Sequence, residues 1–346
     1  MRALVFAPLT LLFFALGLTV YYSSPAPGIP VRPPISDAEA KALYGPKTAK
    51  GGELVDVANE FLAAIREKCS ELQLQYIGPT RLDLASVGFS SYSYVREGET
   101  RTVVTLSTDD VKFEIIANNG TLVSYANTAL EKHLNDGPYF EPPDQPKLSS
   151  QKAMGLATDF LNVCPRETGI RLAPPGATFE HSGEMPTKTG MKTTQGEWWV
   201  RWHRTDEDGH VFTGDLATAV IAEGYGPSFL GIRLDTPYHK DAAPVISGDS
   251  AEKAARRAVA DIRWSGWPFA TVNLEQSTLE ISRPSKDIRN YLAGLEDEGR
   301  LAWAQTFGCE LPGPSGGWIT CYVVTDAHSG KVINLDTGTG IGEREK

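Results

Sequence analysis

Histidine and cysteine are the side chains here most open to metal, nucleophilic or acid–base work, and their spacing argues against each. The six histidines are His133, His181, His203, His210, His239 and His328. None falls in an H-E-x-x-H pair, the helical spacing that holds zinc. His203 and His210 flank an expected hairpin turn and could approach one another, but two surface histidines are the simpler reading. Asp206-Glu-Asp-Gly209 opens like a calcium loop, yet Ala217 stands where a twelve-residue loop needs its terminal Glu. A turn with glycine at a bulge accounts for it better. The glycines between Gly224 and Gly231 do not frame a serine as G-x-S-x-G, and no phosphate-binding or dinucleotide loop is present. The expectation is therefore no catalytic residue, no metal ligand and no cofactor.

The segment Glu197-Trp-Trp-Val-Arg-Trp-His203 suits binding instead. In a strand, Trp198, Val200 and Trp202 face one way and Trp199, Arg201 and His203 the other. The first set reads as core. The second reads as a binding surface, because Trp and Arg are the usual anchors of interfaces. The competing reading pairs Arg201 with Asp215 across the hairpin and packs Trp199 between modules.

Cys69, Cys164, Cys309 and Cys321 are the four cysteines, and none lies in a C-x-x-C pair. If the loop at 312–317 is centred near Ser315, Cys309 lies opposite Cys321 and Phe307 opposite Val323. Opposed residues in a non-hydrogen-bonded pair have Cα atoms ~4.5 Å apart, within disulfide reach. A cross-strand disulfide is expected there. Cys69 and Cys164 could link the first two modules, with a buried free Cys164 as the alternative.

Three helices must position these strands. Leu54, Val57, Ala58, Phe61, Leu62 and Ile65 fall on one helical face. Ala153, Leu156, Ala157, Phe160, Leu161 and Cys164 repeat that spacing, as do Ala251, Ala254, Ala255, Ala258, Val259 and Ile262. Strand-like runs follow each helix. The fold class predicted is α+β: an N-terminal transmembrane helix, then three repeats of one amphipathic helix packed on an antiparallel β-sheet. The boundaries are an anchor or signal at 1–22, a Pro-rich linker at 23–47, and modules at 48–140, 147–236 and 248–346.

The last module closes with Tyr322-Val-Val-Thr-Asp-Ala-His-Ser-Gly-Lys-Val-Ile333 and opens with Ala251-Glu-Lys-Ala-Ala-Arg-Arg-Ala258. An Ala-rich helix and a strand–turn–strand of this type resemble PepSY domains. The first module ends in a looser version at Asn118-Asn-Gly120, and the second departs further, with no Asp at its turn. The resemblance implies an extracytoplasmic module without catalytic residues, associated with peptidase propeptides and inhibition.

Residues 3–22 carry no charge and follow Arg2. Twenty helical residues span about 30 Å, the hydrocarbon thickness of a bilayer. A retained anchor places the body outside the cytoplasm, periplasmic or extracellular; a cleaved signal secretes it. The chain has 346 residues, 33 Lys+Arg and 43 Asp+Glu, a formal charge of −10. That balance disfavours nucleic acid. The expected partners are a protein or peptide, and the membrane through the N-terminal helix, with the oligomeric state left open. The function expected is non-catalytic binding, modulating a peptidase or serving as an accessory subunit of a membrane complex; an exported hydrolase with an unfamiliar active site is the alternative.

Overall fold

The computed structural model describes residues 37–45, 48–96, 99–136, 146, 148–167, 169–181, 185–187, 190–192, 196–234, 236–238, 240–241, 245–262, 268–284, 298–311 and 317–337. The expected membrane helix at 3–22 lies outside them. Among the described residues no helix is long and apolar enough to cross a membrane.

The chain opens with α1 (Asp37–Tyr44) and α2 (Ala49–Glu71), then strands β1 (Gly88–Arg96), β2 (Glu99–Ser107), β3 (Lys112–Ile116) and β4 (Thr121–Ala126). After α3 (Thr128–Asp136) and α4 (Ser150–Asn162) come β5 (Arg171–Leu172), β6 (Gly176–His181), β7 (Met185–Thr187), β8 (Gly190–Lys192), β9 (Gly196–Thr205), β10 (Val211–Ala222) and β11 (Pro227–Arg233). The last group is α5 (Gly248–Ala260), β12 (Thr271–Ser282), β13 (Arg300–Glu310), β14 (Trp318–Asp326) and β15 (Val332–Thr337).

Side-chain caps start the three principal helices. Thr48 accepts from the Gly51 N–H, Ser149 from Lys152 and Ser247 from Ser250. The apolar face of α2 then buries Leu54, Ala58, Phe61, Leu62 and Ile65, whereas α5 buries only Ala251, Ala255 and Val259.

Three separate antiparallel sheets do not form. Thirteen strands join in one sheet, ordered β1-β2-β3-β4-β11-β10-β12-β13-β14-β15, with β9 on β10 and with β5 and β6 on β9. The expected architecture is corrected at two seams. At the first, β4 and β11 pair antiparallel, Ala126 opposite Phe229 and Ser124 opposite Gly231. An open strand edge leaves a row of unpaired N–H and C=O groups, and pairing two such edges satisfies both. At the second, β10 meets β12 in parallel at Phe212 and Ile281, so the sheet is mixed. The core follows the first seam: α2, α4 and the inner faces of β2, β3, β4, β9, β10 and β11 share one cluster. At its centre Phe61 stands edge-on to Phe113 and Tyr125, at 6.1 and 5.5 Å.

The disulfide expectations are also corrected. All four cysteines are free and buried. The β13–β14 register pairs Cys309 with Ile319 and Cys321 with Phe307, two residues from the expected alignment. The connection from Leu311 to Gly317 closes with the Leu311 N–H on the Gly317 carbonyl, centring the hairpin on position 314 instead of 315. A shift of two keeps both thiols on one face but makes them diagonal neighbours. Cys164 donates instead to the Phe160 carbonyl within its own helix end, at 3.3 Å. Cys69 meets Gly226, where an added Cβ would lie 2.7 Å from its sulfur.

Candidate functional site

The alternation read from 197–203 holds in β9. Trp198, Val200 and Trp202 are buried, Trp199 and Arg201 are half-buried, and His203 is exposed. The inner set is fixed by α4 and by Phe179, whose ring lies 5.1 Å from Trp198 and covers Gly196. A Cβ at Gly196 would sit 2.2 Å from that ring, so a side chain there would have to displace Phe179. The outer set lies on the opposite face of a sheet flanked by β6 and β10. Thr178 and Val220 stand either side of Trp199, and Gly176 and Thr218 either side of Arg201.

The Arg201 guanidinium lies 5.2 Å from the Trp199 ring centroid. This cation–π stack presents a flat, partly apolar platform with a charge on it. Arg201 also reaches Glu180 at 3.9 Å. It does not pair with Asp215. Arg204 does, at 3.1 Å, and Asp215 also accepts the Thr236 N–H at 3.0 Å. Parity explains the difference. Arg204 lies on the same side as the buried Trp202, and Asp215 sits in the register break of β10 between Val211 and Leu216.

Glu197 ends the outer row. Burial pushes its carboxyl up, a hydrogen bond from Ser228 opposes that, and the carboxylates of Glu131 and Glu180 add to the rise. A raised acid near a histidine could suggest acid–base chemistry. Glu197 and His203 do not form such a pair: they are six residues apart on one strand, about 20 Å at 3.3 Å per residue. Proton transfer needs hydrogen-bond reach.

His210 and His133 are engaged elsewhere. His210 Nδ1 lies 3.0 Å from Asp206 Oδ2, and Asp206 Oδ1 accepts the N–H groups of Asp208 and His210. Asp208 pairs with Lys240. Asp206, Asp208 and His210 thus bring ligand-type atoms within 4.8 Å of one another, with Asp206 bonded to the turn N–H groups and Asp208 to Lys240. The cross-strand neighbour of His203 is Leu216, so the two histidines flanking the turn do not meet. His239 lies outside the described residues. His133 contacts the Tyr225 hydroxyl at 3.3 Å.

A cleft of about 510 Å³ at the end of α2 is lined by Ala63, Arg66, Glu67, Cys69, Ser70, Leu74 and Tyr76. It holds one acid and no histidine. Burial pushes its Cys69 thiol up to about 11, so the thiol is protonated and weakly nucleophilic at neutral pH.

The motif quoted for the closing hairpin has a structural use. The buried Asp326 carboxylate accepts the His328 and Ser329 N–H groups and pairs with Arg300, while Gly330 supplies a positive φ of 70°. Burial alone would raise this carboxyl; the bonds from Arg300 and Ser329 outweigh it and hold it below the usual carboxylate range.

Sequence reading missed β6. Its residues alternate, with Ala177 and Phe179 inward and Thr178 and Glu180 outward, but the run is short and follows Pro174-Pro175.

No protein-family model and no curated protein matches the chain. Among solved structures it is similar to the Bacillus megaterium YpeB C-terminal domain, over 80% of this chain and 97% of that one, with 12% identity and a TM-score of 0.36. A likeness at that level carries no argument about fold or activity.

Proposed function

We propose that the chain is a non-catalytic binding protein whose body works outside the cytoplasm and holds a protein or peptide partner on the outer face of β9. The observation that carries this is the Trp199–Arg201 stack, set on the outer face of β9 and backed by the buried inner row of Trp198, Val200 and Trp202. A half-buried aromatic with a cation over it offers large contact area at small entropic cost, the usual makeup of an interface anchor. Its cross-strand neighbours are Thr178, Thr218 and Val220, and Glu180 and Glu197 face each other at one end of the row.

Export is supported by the uncharged run at 3–22 behind Arg2. The resemblance of residues 322–333 to a PepSY closing hairpin agrees with a regulatory role toward a peptidase or a membrane complex. The formal charge of −10 suits a partner with a basic patch.

The test is paired. Trp199→Ala with Arg201→Ala should abolish capture of the cellular partner by the full chain while leaving the thermal midpoint within a few degrees. A broad hydrolase screen should stay blank. Turnover that disappears on replacing one acid or histidine would remove this reading in favour of an exported hydrolase.

A further inference from the structure

The sheet ends in edges of unequal quality. At β1, helix α1 lies against the strand. Strand β12 breaks register at Glu275 and is tied to β10 at Ile281. Strand β15 meets a register break at Val324 and Thr325. Covers and bulges of this kind keep edges from pairing with other chains. Among the described residues strand β6 has no register break, and the helix packed on it, α4, shares the core of its inner residues Ala177 and Phe179. It runs in unbroken register with β9 from Gly176 opposite Arg201 to His181 opposite Gly196. It contains no proline, and among the described residues it pairs with no other strand.

Its outer face has a chemical pattern. Glu180 stands directly opposite Glu197. Like charges in that position destabilise a strand pair. Arg201 relieves this only at 3.9 Å, and Glu180 stays 49% exposed. Two positions on is Thr178. Two further is Gly176, where nothing lies within 4 Å of the place a side chain would start, beside Arg201. The edge therefore lacks a cation at one end and volume at the other.

We propose that β6 accepts an extended segment of the partner as an additional strand, with Lys or Arg opposite Glu180 and a large aromatic residue opposite Gly176. This rests on the reading that the Trp199–Arg201 face binds a partner. The main chain supplies affinity through ladder hydrogen bonds, and alternate side chains supply choice. The incoming cation settles beside the Glu180–Glu197 pair. The aromatic ring fills the space over Gly176 and stacks on the Arg201 guanidinium. The recognised pattern is basic-x-x-x-aromatic, the two residues four apart and on one face.

The probes are fluorescein-labelled nine-residue peptides carrying Lys-x-Thr-x-Trp, and the reversed order, titrated against the full chain by anisotropy. Saturable binding of one order is expected. Methylating alternate backbone nitrogens should weaken it more than about tenfold. Glu180→Lys should weaken it roughly five- to tenfold and favour a peptide with Glu in place of Lys. Binding of neither peptide, or binding indifferent to N-methylation, overturns strand addition. Capture of a cellular partner that needs Trp199 and Arg201 but ignores Glu180→Lys also overturns it, and leaves the binding face standing. Capture indifferent to all three residues removes the face itself.

Discussion

The residues before 235 and those after 244 stand under the same sheet but are held by different means. In the first region one continuous core runs under nine strands, filled by Phe61, Phe113, Tyr125, Phe160, Trp198 and Trp202. In the second, the buried residues fall into three small clusters, one of them shared with Phe212 across the second seam, and the covering helix contributes two alanines and a valine. Buried apolar area scales with side-chain size, so each turn of α2 stabilises more than each turn of α5. Polar ties add to the second region: Asp326 with Arg300, Arg256 on the Val272 carbonyl, and Arg283 on Thr236. The lesson is that pairing β4 with β11 does more than cover two edges. It lets two helices share one core, and that core packs the inner row of β9 behind the proposed binding face.

The comparison breaks first at Phe113. Phe113→Ala should cost about 3–5 kcal/mol, a large share of the ~5–15 kcal/mol typical of a folded protein. Denaturant unfolding followed by hydrogen exchange should show protection lost on both sides of the first seam, in β3 and in β10 alike. Loss confined to β1–β4 would mean that the two halves do not share a core.

Arg300→Ala sharpens the other side. It leaves the buried Asp326 carboxylate without its cation, at a cost of about 2–3 kcal/mol after discounting for the partial exposure of Arg300. Exchange should quicken in β13–β15 and leave β2 and β3 unchanged. Asp326 titrates lower in the folded chain than in the unfolded one. Its contribution is thus complete above the unfolded carboxylate value near ~3.9 and disappears as pH falls through the folded value. The wild-type chain should lose that increment in acid, and Arg300→Ala should show a shallower acid dependence. An unchanged acid limb would contradict this.

Much of the helix and strand order was legible because periodicity survives in isolated sequence: the α2 and α4 faces, the inward Trp198 and Trp202, and the outward Trp199 and Arg201 all follow from spacing alone. The seams were not legible. Whether β4 pairs with β11 or stays an edge depends on backbone groups that every strand carries, which no residue type announces. The same holds for the β13–β14 register, where one position of loop centring moved Cys309 from Cys321 to Ile319. The competing Arg201–Asp215 pair presumes an unbroken β10, whose register break no residue announces, and Glu180 gives no signal because β6 is six residues behind two prolines.

The smallest effect concerns Glu197. Its carboxyl is raised by burial and by the neighbouring Glu131 and Glu180, with Ser228 opposing. Its charged form therefore costs stability increasingly as pH rises from the unfolded value through the folded one. Glu197→Gln should raise stability at neutral pH by under about 1 kcal/mol and flatten that limb of the pH profile. A fall in stability at neutral pH would show that the Ser228 bond outweighs the repulsion.

The central claim, that the outer face of β9 is where this protein meets its partner, is most directly tested by photo-crosslinking in intact cells. A photoreactive residue at the exposed position of His203 is compared with one at Thr271, exposed on β12 of the second region. A discrete adduct from position 203, lost on Trp199→Ala and missing from position 271, is the expected result. Equal adducts from both positions, or none from 203 while 271 reacts, would contradict the account.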